Sequence, residues 1–209
     1  AEQWDRIGQA ALKAAGHGDA VFAEGREPCL LVYARRSQNR LLETSAIRRC
    51  LPILGEPGWT RLGQLLLEAE DFEEAGRVFV ESASYVSDPV TTYLNAVSVY
   101  ELKLNDSKRA QDVCTAAIGQ VQSGQKRRLW EALCRLCEAG QPSEMLAQAL
   151  FGLSTCTHDE QERLAIHIRE ATVLSQLTGR EFDAIEKWDA IIQQQPSRQA
   201  YIALESIYE

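Results

Sequence analysis

The stretch that decides the fold is WTRLGQLLLEAEDFEEAGRVF, residues 59–79. Successive residues of a helix are about 100° apart, so four of its side chains share one stripe: Trp59, Leu62, Gly63 and Leu66. A large residue beside a glycine allows a second helix to approach closely. Ala75 and Phe79 supply the complementary small and large pair on that second helix. The stretch therefore predicts a pair of closely packed helices.

The same pattern returns along the chain. Tyr93 follows Trp59 by 34 residues, and the second helix of this copy is displaced by one inserted residue. Weaker copies begin at Trp4, Trp130 and Tyr201. Because each helix pair leaves an apolar face uncovered, neighbouring pairs must stack to bury it. The period therefore predicts a stacked helical array rather than a closed bundle.

The W-x2-L-G-x2-Y…A-x3-F spacing resembles that of the tetratricopeptide repeat (TPR) family. The resemblance covers nearly all of residues 58–209 and part of residues 1–57. It implies an all-α fold, a right-handed solenoid of helix–turn–helix repeats with a concave surface lined by the first helices. We expect residues 1–57 to form a divergent helical region, and residues 58–209 to form TPR-like repeats of which the last is truncated. Residues 16–57 depart from the period, either as a decayed repeat or as an insertion.

Helical periodicity is present throughout, and proline and capping residues mark the starts of helices, as at Asp88-Pro89. The clearest break is the predicted loop at residues 52–58, which contains two glycines and two prolines. The predicted helices lie near residues 2–15, 28–36, 38–51, 58–69, 72–85, 89–103, 107–122, 126–139, 142–153, 159–177, 181–194 and 197–208.

Composition restricts the classes of function. The 209 residues are 45% hydrophobic and 25% charged, which is typical of a globular protein. The net charge is −8, with +1 over residues 1–57 and −9 over residues 58–209. A nucleic-acid partner is not expected, because no long basic stripe is present. No apolar run is long enough for a membrane span.

The six cysteines are placed within apolar helical patterns, which favours free thiols in a reducing, cytoplasmic compartment: Cys29, Cys50, Cys114, Cys134, Cys137 and Cys156. Cys134-x-x-Cys137 with Cys156-x-His158 is an alternative zinc site. We favour core cysteines and no metal, because Cys134 and Cys137 fall inside a predicted helix whereas zinc knuckles require a turn. The first residues, without Met or a signal-peptide pattern, suggest a fragment or a processed product.

No pattern of nucleophilic catalysis is found. The three histidines, at positions 17, 158 and 167, have no serine or cysteine nearby in a recognised nucleophile motif. The sequence around His17 lacks the third glycine of a phosphate-binding loop. The acidic run at residues 68–74 crosses a predicted turn, where acids favour the start of the next helix. We predict that the chain is not an enzyme and has no cofactor.

The resemblance places partner-binding side chains on the first helices, rotated away from the core stripe: Gln64, Asn95, Leu102, Arg128, Arg135, Arg169, Val173 and Leu177. Asn95 lies where family members often use an asparagine to hold the backbone of a bound peptide. Members that clamp a C-terminal carboxylate need Lys and Asn in the preceding first helix. Thr60 and Gln64 stand there instead, so the full clamp is not present.

Leu102, Val173 and Leu177 are candidate apolar anchors for a partner, unless neighbouring helices cover them. The sequence thus predicts a scaffold or adaptor domain that binds a protein or peptide segment. Three alternatives stay open: a docking domain of an enzyme whose catalytic part lies elsewhere, self-association through the terminal repeats, and an RNA-binding repeat. Net acidity disfavours the last of these.

Overall fold

The computed structural model describes residues 31, 34–35 and 37–208, and the all-α prediction is confirmed for this part of the chain, which holds no strand. The predicted helix at residues 2–15 and the copy at Trp4 lie outside the described residues. The chain divides into two units, Ala1–Thr92 and Tyr93–Glu209. The helices are α1 (Arg40–Glu68), α2 (Phe72–Ser82), α3 (Pro89–Ser98), α4 (Ser107–Gln120), α5 (Arg127–Glu138), α6 (Glu144–Thr155), α7 (Glu160–Ser175), α8 (Glu181–Gln194) and α9 (Arg198–Tyr208).

The predicted loop at residues 52–58 is wrong, because the structure has a kink within α1 instead. Gly55 alone leaves the helical conformation, at φ 56° and ψ −142°, a region that favours glycine. Pro52 and Pro57 flank it within the helix. Each proline lacks the N–H that an unbroken helix would use, so the bend forms where glycine permits it.

In the first unit, the C-terminal half of α1 packs against α2. Gly63 lies directly against the Phe79 ring, since a Cβ atom at this position would come within 2.5 Å of Phe79 Cε1. The residues that the repeat pattern placed in the core are buried here: Trp59, Leu62, Leu66, Ala75 and Phe79. The close approach predicted from the glycine is therefore confirmed.

One type of turn recurs at the start of helices. A non-glycine residue with positive φ is followed by an N-cap residue whose side chain accepts a hydrogen bond from the backbone of the first helical turn. Three such pairs occur among the described residues: Gln38-Asn39, Glu70-Asp71 and Asn105-Asp106. The second and third pairs are 35 residues apart in the sequence.

In the second unit, a π-helical turn at Val99–Lys103 follows α3. The Leu104 backbone N–H donates to the Val99 carbonyl at 3.1 Å. A π-turn holds one residue more than an α-helical turn. It therefore provides a place for the residue inserted between Tyr93 and the following second helix.

From this turn onward, each helix of the second unit packs against the next one, and α9 also contacts α7. Gly152 of α6 lies against the Trp130 indole of α5, because a Cβ atom here would come within 2.3 Å of Trp130 Cε2. Farther along, Trp188 is buried and its indole N–H donates to Ser175 Oγ at 3.1 Å. Within the described part of the chain, every helix is too short or too polar to cross a bilayer.

Candidate functional site

The residues predicted to bind a partner fall in both units. Gln64 is exposed on α1 in the first unit, and the other seven belong to the second unit. Asn95 is exposed on α3, and Arg128 and Arg135 are exposed on α5. Arg169 is exposed on α7.

Leu102 is 70% exposed within the π-turn, so this predicted anchor presents its apolar side chain to solvent. Asn95 lies seven residues earlier, or about two helical turns. An amide and an aliphatic side chain are therefore both accessible along α3 and its continuation. The pair combines a hydrogen-bonding group with an apolar contact.

Arg135 forms a two-pronged ion pair with Glu101 of the π-turn. Its Nη1 and Nη2 donate to the two carboxylate oxygens at 2.7 and 2.8 Å. The Glu101 side chain is only 19% exposed, whereas that of Arg135 is 57% exposed. The two residues are 34 positions apart. This arginine therefore joins α5 to the π-turn, in addition to being accessible.

Two further ion pairs connect α5 to α7. Arg127 donates to Glu162 at 2.6 Å, across 35 positions, and Arg169 pairs with Glu138, across 31 positions. Together with the Arg135–Glu101 pair, they connect the π-turn to α5, and α5 to α7. Side chains 31 to 35 positions apart in the sequence are thus neighbours in the second unit.

Val173 and Leu177 are partly buried rather than open to solvent. Both pack against a small cluster that contains Ala147 of α6, Leu174 of α7 and Ala184 of α8. Alanines at two of these positions leave room for the larger side chains. Neighbouring helices therefore cover these two candidate anchors. The sequence analysis left this open as the alternative to a role in partner binding.

The cysteines of the described chain are free thiols, and Cys50, Cys114, Cys134 and Cys137 are buried. Burial raises the pKa of the Cys114 and Cys134 thiols to about 12. Cys156 is partly exposed. In the described ranges, no group of three or more His, Cys, Asp or Glu residues is arranged to hold a metal ion. Cys29 lies outside these ranges.

The acidic run at residues 68–74 is engaged in ordinary surface contacts. Asp71 caps α2 by accepting a hydrogen bond from the Glu74 backbone N–H. The Glu74 carboxylate pairs with Arg48, at 2.7 Å, and with Arg77. The predicted role of the run as a helix start is confirmed for these residues.

A buried carboxylate in the first unit was not predicted. Glu43 is only 5% exposed and accepts hydrogen bonds from Arg61 Nε at 3.0 Å and Arg61 Nη2 at 3.3 Å. Arg35 lies 3.4 Å away from the same carboxylate. Burial raises the Glu43 pKa, but the hydrogen bonds and charges of the two arginines outweigh it, and the pKa is lowered.

A second buried carboxylate, Glu170 of α7, lies between α6 and α8 at the base of a cavity of about 520 Å³. Lys187 Nζ donates to Glu170 Oε2 at 2.9 Å, and His167 Nδ1 lies 3.4 Å from the same oxygen. The Lys187 ammonium also lies 5.1 Å from the centre of the Phe151 ring. Sequence reasoning missed this group because its members come from three helices.

No model of a known protein family matches the sequence, and comparison with curated proteins gives no significant match.

Proposed function

We propose that the chain is a TPR-like helical repeat domain that binds a segment of a partner protein along its first helices, as a scaffold or adaptor. In this arrangement α3, α5 and α7 are the first helices of successive repeats, and α4, α6 and α8 are the second helices. The bound segment lies along the concave side of the array. Asn95 offers its amide to the backbone of the segment, and Leu102 offers an apolar contact.

The observation that carries the proposal is the ion-pair series at repeat spacing. The Glu101–Arg135, Arg127–Glu162 and Glu138–Arg169 pairs span 34, 35 and 31 positions. Contacts between neighbouring repeats are what a solenoid consists of, because each repeat touches only its neighbours. The recurring turn before α2 and α4 supports the same period, as it separates the two helices of a repeat in each case.

Accessible side chains on these helices support the binding part of the proposal. Leu102 is mostly exposed, although burial of a leucine side chain is worth about 2 kcal/mol. Arg135 and Arg169 are exposed on one side while their partners hold them in place. Side chains fixed in this way lose little conformational entropy when a partner contacts them.

The experiment compares proteins captured by the wild-type chain with those captured by an Asn95→Ala/Leu102→Ala variant, using quantitative mass spectrometry. A partner that the variant no longer retains is then purified and titrated into both chains. We expect the wild type to bind it and the variant to bind at least about tenfold more weakly. Equal capture by both chains would exclude this surface as the binding site.

Self-association is the second candidate function, and the exposed side of α9 favours it. Tyr201, Ile202 and Tyr208 are exposed at 55%, 53% and 71%. Sedimentation velocity at two protein concentrations distinguishes this candidate. A dimer that a Tyr201→Ala/Tyr208→Ala variant abolishes would favour it over the adaptor proposal, whereas a monomer at both concentrations would exclude it.

A further inference from the structure

The outer side of α6 carries an exposed aromatic ring between two cavities. Phe151 is 53% exposed and lines both the cavity of about 520 Å³ beside α8 and a second cavity of about 690 Å³ beside α5. Gln148 also lines both. Cavities of this size accommodate side chains of a ligand, and the shared wall makes the two a single docking surface. We call this the α6 surface.

The exposed Phe151 ring contacts a lysine of α8. The Lys187 ammonium lies 5.1 Å from the ring centre, which is within cation–π range. Glu170, only 4% exposed, holds that ammonium by a hydrogen bond of 2.9 Å. A partly buried lysine, held by a buried carboxylate, therefore contacts the exposed ring, and a ring contacted in this way loses less freedom when a partner binds it.

The two cavities differ in charge. The cavity beside α8 contains four carboxylates against two basic side chains: Glu144, Glu170, Asp183 and Glu186 against Arg180 and Lys187. Carboxylates therefore outnumber lysine and arginine side chains by two among the lining residues. None of the described residues that line the cavity beside α5 is a carboxylate; the Trp130 and Phe151 rings line it together with Lys126. One side of the α6 surface is thus acidic and the other is aromatic.

We propose that the α6 surface binds a linear segment of a partner protein that combines a large apolar side chain with neighbouring lysine or arginine residues. The apolar side chain fills the cavity between Trp130 and Phe151. The basic residues lie toward Glu186, which is exposed at the rim of the acidic cavity. The opposite charge favours this occupant over an acidic peptide. The surface consists mainly of second-helix residues, so this site is separate from the one proposed along the first helices.

The probe is a random peptide library displayed on phage, selected against the immobilised full chain. The peptide enriched most is synthesised, and its affinity is measured by fluorescence anisotropy for four chains: the wild type, Phe151→Ala, Glu186→Lys and the control Tyr201→Ala. Tyr201 is an equally exposed aromatic residue of α9. Circular dichroism melts verify that each variant folds, and Glu186→Lys tests the proposal independently if Phe151→Ala does not fold.

We expect enriched sequences to contain an apolar residue next to lysine or arginine. Phe151→Ala and Glu186→Lys should each weaken binding by about tenfold or more, with Tyr201→Ala unchanged. The peptide should also slow alkylation of Cys156, which lines the cavity beside α5. Three outcomes would overturn the proposal. The enriched sequences could be acidic, Phe151→Ala could leave the affinity unaltered, or the library could give no enrichment over that obtained with the Phe151→Ala chain. A dimer that Phe151→Ala converts to a monomer would overturn it in favour of a second copy as occupant.

The outcome is independent of the proposed first-helix site. An Asn95→Ala/Leu102→Ala chain should bind the selected peptide as the wild type does. Loss of binding in that variant alone would place the peptide at the first helices instead, which would contradict the assignment to the α6 surface.

Discussion

Arg135 of α5 holds both carboxylate oxygens of Glu101 at 2.7 and 2.8 Å, and the two residues are 34 positions apart. A planar guanidinium matches a carboxylate in this arrangement, so charge and geometry both contribute. The pair therefore couples the π-turn that follows α3 to α5.

The first prediction concerns the strength of this coupling. Urea unfolding of the wild type, Arg135→Ala, Glu101→Gln and the double variant should give a coupling free energy of about 1 kcal/mol, at the upper end for partly exposed pairs. Added salt should reduce it. Arg198→Ala, a change of an exposed arginine on α9, should shift stability by less than about 0.5 kcal/mol. A coupling energy of zero would mean that the pair does not hold the π-turn against α5.

The second prediction concerns the glycine contact in the first unit. Gly63→Leu should lower the free energy of unfolding by about 1–3 kcal/mol, because the added atoms collide with the Phe79 ring. Gly119→Ala is the matched control. It adds a methyl group where no atom lies within 4 Å of the new Cβ, in the last turn of α4, and should stabilise the chain by about 0.5 kcal/mol. An unchanged urea midpoint for Gly63→Leu would refute the close packing of α1 on α2.

The third prediction is a pH dependence that arises from Glu43. Since the folded state lowers its pKa below the ordinary value of 4.5, the ionised carboxylate stabilises the fold above that value, and this stabilisation is lost as the pH falls toward the lowered pKa. Glu43→Gln should therefore cost about 1–3 kcal/mol at neutral pH, and the difference from wild type should shrink in acid. The more exposed Glu68, which also contacts Arg61, provides the control Glu68→Gln, with a cost below about 1 kcal/mol. A difference in the free energy of unfolding between the wild type and Glu43→Gln that stays constant with pH would contradict this assignment.

The fourth prediction concerns the thiols. Because the pKa of Cys114 and Cys134 is raised to about 12, their thiolate fraction is very small near pH 8. In a Cys29→Ser chain, a brief pulse of iodoacetamide should label Cys156 first and leave Cys114 and Cys134 unlabelled until urea unfolds the protein. Mass spectrometry of the peptides identifies the labelled sites. Rapid labelling of Cys134 in the folded chain would be incompatible with its place in the core.

Metal content gives an independent test of the same cysteines. The purified chain should contain no stoichiometric zinc, and a strong chelator should leave its helical circular dichroism unchanged. About one zinc per chain, removed together with helicity, would restore the alternative site at Cys134, Cys137 and Cys156.

The positions of the helices were predictable because the signals that set them are local. From residue 68 to residue 208, predicted and observed helix ends agree within three residues when the π-turn at Val99–Lys103 is counted with α3. Asp88 before Pro89 marks the start of α3, and its side chain accepts a hydrogen bond from the Thr91 backbone. At α6 the cap is Ser143, so the helix starts at Glu144, two residues after the predicted position. At α3 the local capping residue was sufficient to predict the start of the helix. At α6 the serine hydroxyl of Ser143, which accepts the capping hydrogen bond, lies farther along the chain than the predicted start.

The contacts between helices were less predictable because they depend on which faces meet. Arg135 and Arg169 were predicted as open groove residues, but their carboxylate partners lie 34 and 31 positions away. Val173 and Leu177 were predicted as anchors, and small residues on α6 and α8 allow them to pack inward. The π-turn was visible in the sequence only as one inserted residue, which does not determine where the extra residue is placed.

The measurement that tests the central claim most directly is a calorimetric titration of the captured partner into the wild type and into Asn95→Ala/Leu102→Ala, with a thermal melt of each chain. Both side chains are accessible, so the melts should agree within the effect of about 0.5 kcal/mol typical of surface changes. Affinity should fall by about 1–3 kcal/mol in the variant. Equal affinities in two equally stable chains would contradict binding along the first helices.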